Sequence, residues 1–370
     1  MNIISLVSYP FLPARTGGQK GIALFYKYFS RYHQVTIVTT KKNNPAFAEG
    51  YALLNILGNS KLRYINPLLF FRLKNIIRRN KATHLILEHP YYGWLGMLLK
   101  RICGIKLVVH SHNIEGLRWK SLGKWWWRFL WNYEKMTHRS ADFNFFIQED
   151  DKKYAIENFH LDENKCLAVS FGTEIQEPPS AEDHKSSYRT LQNELKIHED
   201  LPLLIMNGSF QYQPNREALD NLLLKVNPLL QKKNLPYLIL IIGLEIPETY
   251  KTVSYPNVRI LGFVENLELY LTGSNVFLNT VQSGGGIKTK LVEALAFNLN
   301  AVSTENGAIG IDPMICNSKL IVCPDNNWNL FTEGIIHAIN MKKVMPPEFY
   351  NEFYWGNITK RAADFICGDH

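Results

Sequence analysis

The feature that most constrains the fold is a repeated alternation of strand-like and helix-like segments. Residues 3–7 are apolar, residues 19–31 have the spacing of an amphipathic helix, and residues 34–40 are rich in β-branched side chains. This order predicts a βαβ unit with parallel strands. The alternation continues with predicted helices at 66–79, 92–102 and 124–139 and predicted strands at 84–87, 106–110 and 142–147. The first half is therefore expected to form a parallel sheet covered by helices on both faces.

The alternation is interrupted once and then restarts. Residues 172–200 are polar and contain Pro178 and Pro179, and from Pro202 onward strands and helices alternate again, with one predicted strand at 276–279. A helix is predicted to begin at Asn215, and Pro228 should end or kink it. Because one hydrophobic core stops growing at about 250 to 300 residues, a chain of 370 residues favours two domains. We predict an α/β domain over residues 1–172, a linker over 173–200, a second α/β domain over 201–345 and a helical tail over 346–370. The tail is expected to cross back to the first domain.

Composition excludes several classes of protein. The chain is 46% hydrophobic and 20% charged, which is typical of a globular protein and not of a disordered one. No apolar run approaches the roughly 18 to 20 residues of a membrane-spanning helix, and the first residues lack the pattern of a signal peptide, so we expect a cytoplasmic protein. The five cysteines form no CxxC pair, which argues against a disulfide framework or a structural zinc site.

Charge is distributed unevenly between the two halves. Residues 1–170 hold 25 Lys and Arg against 11 Asp and Glu, a net charge of +14, whereas residues 171–370 hold 16 against 22, a net charge of −6. This asymmetry suggests an anionic partner for the first half: a membrane surface, a nucleic acid or a phosphorylated substrate. The alternative is that these basic residues form an ordinary solvated surface that has no anionic partner.

The predicted helix over 66–79 favours an anionic membrane surface as the partner of the first half. Its apolar stripe, Leu69, Leu73, Ile76 and Ile77, is expected to pack on the sheet. The membrane contact would then come from basic residues at its end and from a group of tryptophans. These residues are Arg78, Arg79, Lys81, Trp125, Trp126, Trp127 and Trp131.

The glycine pair Gly17 and Gly18 lies between the first strand and the first helix, where backbone N–H groups can approach an anion. A dinucleotide fingerprint would place G-x-G-x-x-G directly after the strand, and here eight residues intervene. Lys41 and Lys42 follow the second strand where an NAD-binding enzyme has an acid. An NADP-dependent oxidoreductase therefore stays open only as an alternative.

A stronger signal lies in the second half, where residues 283–296 read SGGGIKTKLVEALA. The three glycines follow a predicted strand and precede a helix, so their N–H groups are accessible at a positive helix end. Lys288 and Lys290 add charge where a pyrophosphate would lie. Glu293 is three residues after Lys290 and on the same helix face, where it could bind ribose hydroxyls. The alternative is an ordinary glycine-rich turn before a helix.

The ordered motifs resemble those of the retaining glycosyltransferases of the GT-B fold, in particular glycosyltransferase family 4 with its group 1 carboxyl-terminal domain. They are H-N-I-E at 112–115, N-G-S-F at 207–210 followed by P-N at 214–215, G-F-V at 262–264, and the segment 286–294. The resemblance implies two Rossmann-like α/β domains facing a cleft, with the acceptor on the amino-terminal side. It implies a nucleotide-diphosphate sugar as donor on the carboxyl-terminal side.

The resemblance also assigns residues. Gly17 and Gly18 match the amino-terminal donor-phosphate loop, Gly208 and Ser209 match the loop that faces it, and the backbone at Phe263 and Val264 matches the nucleobase contact. Glu293 matches the second glutamate of the family's E-x7-E motif, and His112 matches its active-site histidine. Gly285, Gly286, Lys288 and Lys290 complete the predicted donor site.

Two departures from the family pattern concern the donor site. The first glutamate of E-x7-E falls at Gly285, which leaves the donor sugar undefined. The usual Arg/Lys pair after the first strand of the second domain is absent, with Arg216 nearby but outside the pattern, so Lys288 and Lys290 are expected to replace it. The sequence contains no D-x-D, and we expect neither a metal nor a cofactor.

The sequence thus predicts a metal-independent retaining glycosyltransferase with His112, Lys290 and Glu293 at its centre. The leaving diphosphate would help to deprotonate the acceptor hydroxyl, as the resemblance implies, while lysines and a helix end stabilise its growing charge. A glycan or lipid-linked acceptor and a role in bacterial surface polysaccharide or glycolipid synthesis are expected. A non-catalytic nucleic-acid-binding protein is the other alternative, although it would not explain the Gly-Lys-Glu cluster, and no nucleic acid is expected as partner.

Overall fold

The computed structural model describes residues 1–197, 200–251 and 255–368. The chain divides into two units, one holding Met1–Phe171 together with the residues from Trp355 onward, and the other holding Gly172–Tyr354. The division falls beside residue 172, where the sequence placed the end of the first domain.

The first unit is built on a seven-stranded parallel sheet with the order β3-β2-β1-β4-β5-β6-β7. Its strands are β1 (Asn2–Val7), β2 (Gln34–Thr40), β3 (Ala52–Leu57), β4 (His84–Glu88), β5 (Lys106–Ser111), β6 (Phe143–Phe146) and β7 (Cys166–Ala168). Its helices up to residue 171 are α1 (Gly17–Phe29), α2 (Leu68–Arg79), α3 (Gly93–Cys103), α4 (Glu115–Ser121), α5 (Trp127–Ser140) and α6 (Glu149–Phe159).

Local sequence explains where these elements begin and which face they bury. Thr16 and Gln19 form a capping box that starts α1 directly after the loop. In α2 the residues Leu69, Leu73 and Ile77 are buried against the sheet, as the apolar stripe predicted. The acids at 149–151 occupy the first turn of α6, where they complement the positive helix end.

The second unit has a six-stranded parallel sheet with the order β10-β9-β8-β11-β12-β13. Its strands are β8 (Leu203–Ser209), β9 (Leu238–Leu244), β10 (Val258–Gly262), β11 (Val276–Asn279), β12 (Asn300–Thr304) and β13 (Leu320–Cys323). Its helices are α7 (Ala181–Leu195), α8 (Gln213–Asp220), α9 (Asn227–Gln231), α10 (Glu248–Lys251), α11 (Leu267–Gly273), α12 (Thr289–Ala296), α13 (Glu305–Ala308), α14 (Trp328–Asn340) and α15 (Pro347–Phe353).

Both faces of the second sheet are covered, and β8 shows how. Leu203 and Ile205 belong to the core on the side of α12, whereas Leu204 and Met206 belong to the core on the side of α14. Alternate side chains of a strand point to opposite faces, so a strand buried on both sides carries a continuous apolar run, which in β8 is residues 203–206.

The predicted linker over 173–200 needs correction, because most of it is helix. Ser180 and Asp183 form a capping box at the start of α7, and Leu191 of this helix is buried in the core of the second unit. The segment is polar because α7 buries little besides Leu191, and this weak periodicity conceals a helix. Residues 198 and 199 of the predicted linker lie outside the described residues.

The predicted tail is two helices that belong to different units. Helix α15 packs in the core of the second unit, whereas α16 (Trp355–Cys367) belongs to the first. Helix α16 packs on α1, the Tyr32 hydroxyl donates to the backbone oxygen of Gly356, and Phe365 contacts Phe143 and Phe145 of β6. The chain therefore does return to the first unit, but only from Trp355 onward. Residues 369 and 370 of the predicted tail lie outside the described residues.

Each sheet reverses its strand order at one point, between β1 and β4 in the first unit and between β8 and β11 in the second. At such a switch point the loops that follow two neighbouring strands diverge to opposite faces and leave a crevice at the carboxyl ends of the strands, where α/β proteins bind ligands. The candidate residues at these two edges are therefore expected to lie in binding sites. Among the described residues, no helix is long and apolar enough to cross a bilayer.

Candidate functional site

In the first unit, polar side chains converge on Glu88 at the end of β4. The pairing of β4 with β5 places Glu88 beside His110, and His112 follows directly after β5. The Glu88 carboxylate accepts from His110 Nδ1 at 3.0 Å, from His112 Nε2 at 2.7 Å and from the Tyr26 hydroxyl. His112, predicted from sequence, is therefore one member of a buried network at the switch point.

Burial and the neighbouring imidazoles set the protonation states of this network. Burial alone would raise the pKa of Glu88, but the charge of His110 and the hydrogen bonds from both histidines outweigh it and hold the pKa well below its usual range. Burial, followed by the charge of His89, lowers the pKa of His112 to about 4 against the hydrogen bond to Glu88. At neutral pH, Glu88 is a carboxylate and His112 is an uncharged imidazole.

A second carboxylate network, centred on Glu115, lies next to the first. Glu115 pairs with His89 at 3.1 Å and accepts from the Tyr91 hydroxyl at 2.6 Å. Burial would raise the pKa of Glu115, but His89, Tyr91 and Arg118 lower it to about 2. The His89 ring lies 4.5 Å from that of His112, measured between ring centroids, so the two networks meet at these imidazoles.

Glu134 of α5 holds the loop that carries His112 and Glu115. Its buried carboxyl accepts from the backbone N–H groups of Glu115 and Gly116 at 2.9 and 2.8 Å, which satisfies the start of α4. Burial raises the pKa of Glu134 to about 8 although these two amides lower it. Gly116 is required here, because a Cβ would lie 2.5 Å from Cβ of Trp131.

In the second unit, Lys290 lies against Gly208 at the end of β8. The Lys290 ammonium donates to Asn215 Oδ1 at 2.8 Å, and the Asn215 amide donates to the backbone oxygen of Ser209 at 2.8 Å. A Cβ on residue 208 would lie 2.9 Å from Lys290 Nζ. The absence of a side chain at Gly208 therefore gives the lysine its place beside the β8 carboxyl end.

Lys288, unlike Lys290, forms hydrogen bonds to the glycine-rich loop over residues 284–286. Gly284 and Gly286 have φ values of +86° and +80°, which glycine adopts without strain. The Lys288 ammonium donates to the backbone oxygens of both glycines at 2.9 Å. Lys288 therefore holds the loop in shape, and its contribution of charge to a pyrophosphate stays a prediction.

Both lysines are desolvated cations. Burial lowers the pKa of Lys288 to about 8. Burial, and then the charge of Lys288, lowers the pKa of Lys290 to about 8, while the carboxylate of Glu293 acts in the opposite direction. Because its hydrogen-bond partner Asn215 is neutral, the Lys290 ammonium is well suited to bind an anion at the switch point.

The other predicted residues occupy defined places in their own units. Gly17 and Gly18 form the first turn of α1, and a Cβ on Gly18 would meet no atom within 4 Å. Phe263 is 67% exposed directly after β10, whereas the neighbouring Val264 packs on the core of the second unit. Gly285 is exposed in the glycine loop, and Glu293 lies one turn after Lys290 in α12.

Sequence reasoning missed Glu88 and His89 as site residues and used Glu115 and Asn215 only as parts of motifs. The signal for the first two is the polar pair Glu-His directly after the apolar residues 85–87 of β4. Of the described residues, Glu88, His110 and His112 have potential ligand atoms within 4.8 Å of one another, close enough to consider a metal ion. Their separations of 2.7 and 3.0 Å from carboxylate to imidazole are those of direct hydrogen bonds.

Two doubly wound parallel α/β units in one chain are the architecture of the GT-B glycosyltransferases. Residues 16–176 match the family described as Glycosyltransferase Family 4, and residues 202–341 match Glycosyl transferases group 1. The chain belongs to this family of group 1 glycosyltransferases, and the resemblance drawn from its motifs is confirmed.

Solved structures show the same fold at low sequence identity. Alr3699/HepE from Anabaena, in complex with UDP, has a TM-score of 0.73 at 14% identity over 100% of both chains. A glycosyltransferase from Rickettsia africae has a TM-score of 0.66 at 15% identity, covering 99% of this chain and 93% of that one. The lipopolysaccharide outer core galactosyltransferase WaaB, in its apo form, has a TM-score of 0.66 at 13% identity over 100% of both chains.

Curated relatives match over a shorter stretch. They are the O-antigen biosynthesis glycosyltransferase WbnH and the probable O-antigen biosynthesis glycosyltransferase WbiN, both from Escherichia coli. Each is 25% identical over 149 residues, which is 39% of this chain and 41% of the relative. The match thus spans about two fifths of the length of these relatives.

Proposed function

We propose that this chain transfers a sugar from a nucleotide-diphosphate donor to an acceptor hydroxyl with retention of configuration and without a metal ion. The acceptor would be a glycan or a lipid-linked saccharide of a bacterial surface polysaccharide or glycolipid, the class to which the names of WbnH and WaaB point. Family membership favours this reaction over the oxidoreductase and nucleic-acid-binding alternatives.

The observation that supports the donor most strongly is the buried ammonium of Lys290 beside Gly208. In a retaining transfer, negative charge grows on the diphosphate as the bond to the sugar breaks. A cation that is already desolvated and fixed by Asn215 stabilises this charge without reorganising. The amino-terminal end of α12 adds its positive dipole at the same place. Glu293, on the same helix, is the candidate ligand of the ribose.

A thermal-shift comparison tests whether the second unit holds a nucleotide diphosphate. HepE is described in complex with UDP and with UDP-glucose, so uridine nucleotides are the first ligands to compare. A ligand at 100 times its Kd stabilises the native state by about 2.7 kcal/mol, which should raise Tm by several degrees. Uridine, which lacks the diphosphate, should shift Tm much less. Equal shifts for uridine and UDP, or none for any nucleoside diphosphate, would contradict the donor site.

We also propose that the first unit attaches to an anionic membrane surface, which would give access to a lipid-linked acceptor. Several large apolar side chains of this unit are exposed, and the basic residues at the end of α2 are exposed as well. These exposed apolar side chains include Leu62, Ile65, Leu68, Phe71, Trp125 and Phe129. Such a combination of apolar and basic side chains is typical of interfacial binding, and it would leave the chain peripheral to the cytoplasmic face.

Vesicle co-sedimentation measures this attachment. Binding is expected to vesicles that contain phosphatidylglycerol, and it should weaken as salt rises. Replacing Arg78, Arg79 and Lys81 with alanine should weaken binding roughly 100-fold. The reason is that each basic residue contributes on the order of 1 kcal/mol to the free energy of binding to an anionic membrane. The matched control removes three basic residues of the second unit, Lys225, Lys232 and Lys342. Equal binding to phosphatidylcholine vesicles, or equal effects of the two triple variants, would count against the proposed surface.

A further inference from the structure

The two oxygens of the buried Glu88 carboxylate carry unequal numbers of hydrogen bonds. Oε1 accepts from the Tyr26 hydroxyl and from His110 Nδ1, whereas Oε2 accepts from His112 Nε2. An ionised carboxylate has no proton to donate, so each of its partners must be a donor. The proton of the neutral His112 ring is therefore on Nε2, and the lone pair is on Nδ1.

Nδ1 of His112 is the ring nitrogen left for a ligand. Over residues 1–197, 200–251 and 255–368, no group forms a hydrogen bond with this atom, and the side chain remains 10% exposed. His110 has no ring nitrogen accessible to a ligand, because its Nε2 is buried, without a partner in the described part of the chain. The rings of Phe25 and Phe145 pack against it, with centroid separations of 5.0 and 5.8 Å.

We propose that Glu88 is a positioning residue: by accepting the Nε2–H of His112, it fixes the tautomer whose Nδ1 lone pair accepts a hydrogen bond from a substrate hydroxyl. This role rests on the proposed sugar transfer, in which both donor and acceptor carry hydroxyl groups. The orientation of the ring is set by its neighbours, since the centroids of His89 and His110 lie 4.5 and 4.9 Å from that of His112. A base or acceptor held in one tautomer by a buried carboxylate is an arrangement that hydrolases also use.

The conservative variant Glu88→Gln should invert the tautomer. An amide oxygen accepts but an amide nitrogen only donates. Since the Oε1 position receives two donors, the amide oxygen is expected to stay there and to turn the NH₂ group toward His112. His112 Nε2 must then accept, which moves its proton to Nδ1. The nitrogen presented to the substrate changes from an acceptor to a donor, while the size of the side chain at residue 88 hardly changes.

The experiment records long-range ¹H–¹⁵N correlations of the histidine rings in the full chain, with the His112 signals assigned from a His112→Ala variant. The wild-type chain should show the Nε2–H tautomer at residue 112, and Glu88→Gln should show Nδ1–H. Turnover of a nucleotide sugar by Glu88→Gln should fall about 10- to 100-fold, the range for one inverted hydrogen bond, with a smaller change in KM for the donor.

Tyr26→Phe is the matched control, because it removes one donor from Oε1 and leaves the bond between Oε2 and His112 in place. It should keep the Nε2–H tautomer. An Nδ1–H tautomer in the wild-type chain would overturn the proposal without any variant, and so would inversion in Glu88→Gln with unchanged turnover. If the wild-type tautomer is Nε2–H but no nucleotide sugar is consumed, the proposed function fails while the hydrogen bond from His112 to Glu88 is supported.

Discussion

Replacing Lys290 with alanine is expected to lower kcat for sugar transfer by about 100- to 1,000-fold, the loss typical of one preorganised group that stabilises a growing anion. The effect on the Kd of UDP should be smaller, because the charge on the diphosphate is greater in the transition state than in the bound donor. Steady-state kinetics with a nucleotide-sugar donor, together with titration of UDP, separate the two quantities.

Lys319 provides the control for removing a buried lysine. Burial lowers its pKa to about 8 as well, but its ammonium donates to Asn300 and to the backbone oxygen of Lys343, away from the glycine loop. Lys319→Ala should reduce the free energy of unfolding and leave kcat of the folded enzyme unchanged. If Lys290→Ala keeps normal turnover, or if both variants lose turnover equally, Lys290 does not act on the leaving group.

Gly208→Ala is expected to reduce kcat/KM about as strongly as Lys290→Ala, through displacement of the same lysine. The new Cβ would lie 2.9 Å from Lys290 Nζ and 3.1 Å from Asn215 Nδ2, closer than such contacts normally are. The flexible Lys290 ammonium would have to shift away from residue 208, and a catalytic group misplaced by about 1 Å can cost a hundredfold in rate. Kinetics of the variant and of a Gly208→Ala/Lys290→Ala double variant measure the coupling.

The double variant decides whether the two residues act together. Because Gly208→Ala is expected to act through Lys290, its effect should nearly vanish once the lysine is already gone. Gly58→Ala is a neutral control, since a Cβ there meets no atom within 4 Å. Fully additive losses would show that Gly208 acts independently of Lys290.

The alternation of elements could be predicted from sequence because parallel strands buried on both faces are apolar without interruption. Strand β11 was placed at the residues where the structure has it, Val276–Asn279. Strand β3 was missed because it lies at the edge of the first sheet, where Asn55 interrupts an only partly buried run. Helix α7 was missed for a related reason, since Leu191 is its only buried residue.

The sequence predicted that a helix is interrupted at Pro228, but it did not determine whether the helix ends or kinks there. The sequence predicted that this proline would end or kink a helix begun near Asn215. In the structure α8 ends at Asp220, a π-helical turn spans Asn221–Val226, and α9 begins at Asn227. The backbone N–H of Asn227 bonds to the carbonyl of Leu222, five residues earlier, so the register changes directly before the proline.

The functional residues were predictable only where a motif carries them. His112 and Lys290 lie in recognisable sequence contexts, but Glu88 becomes a partner of His112 only through the register of β4 and β5, which pairs Glu88 with His110. Lys288 and Lys290 are two residues apart and chemically alike. Their different partners follow from the path of the glycine loop, whose carbonyl groups bind Lys288. No spacing rule on its own could assign the two roles.

The stereochemistry of sugar release tests the central claim most directly and does not require the acceptor to be known. When an α-linked nucleotide sugar is incubated with the chain, water can replace the acceptor, and ¹H NMR identifies the anomer that forms before mutarotation. A retaining glycosyltransferase should release the α-anomer, faster than a Lys290→Ala variant does. Release of the β-anomer would contradict retention, and no release from any of the uridine, guanosine or thymidine diphosphate sugars would contradict the proposed donor.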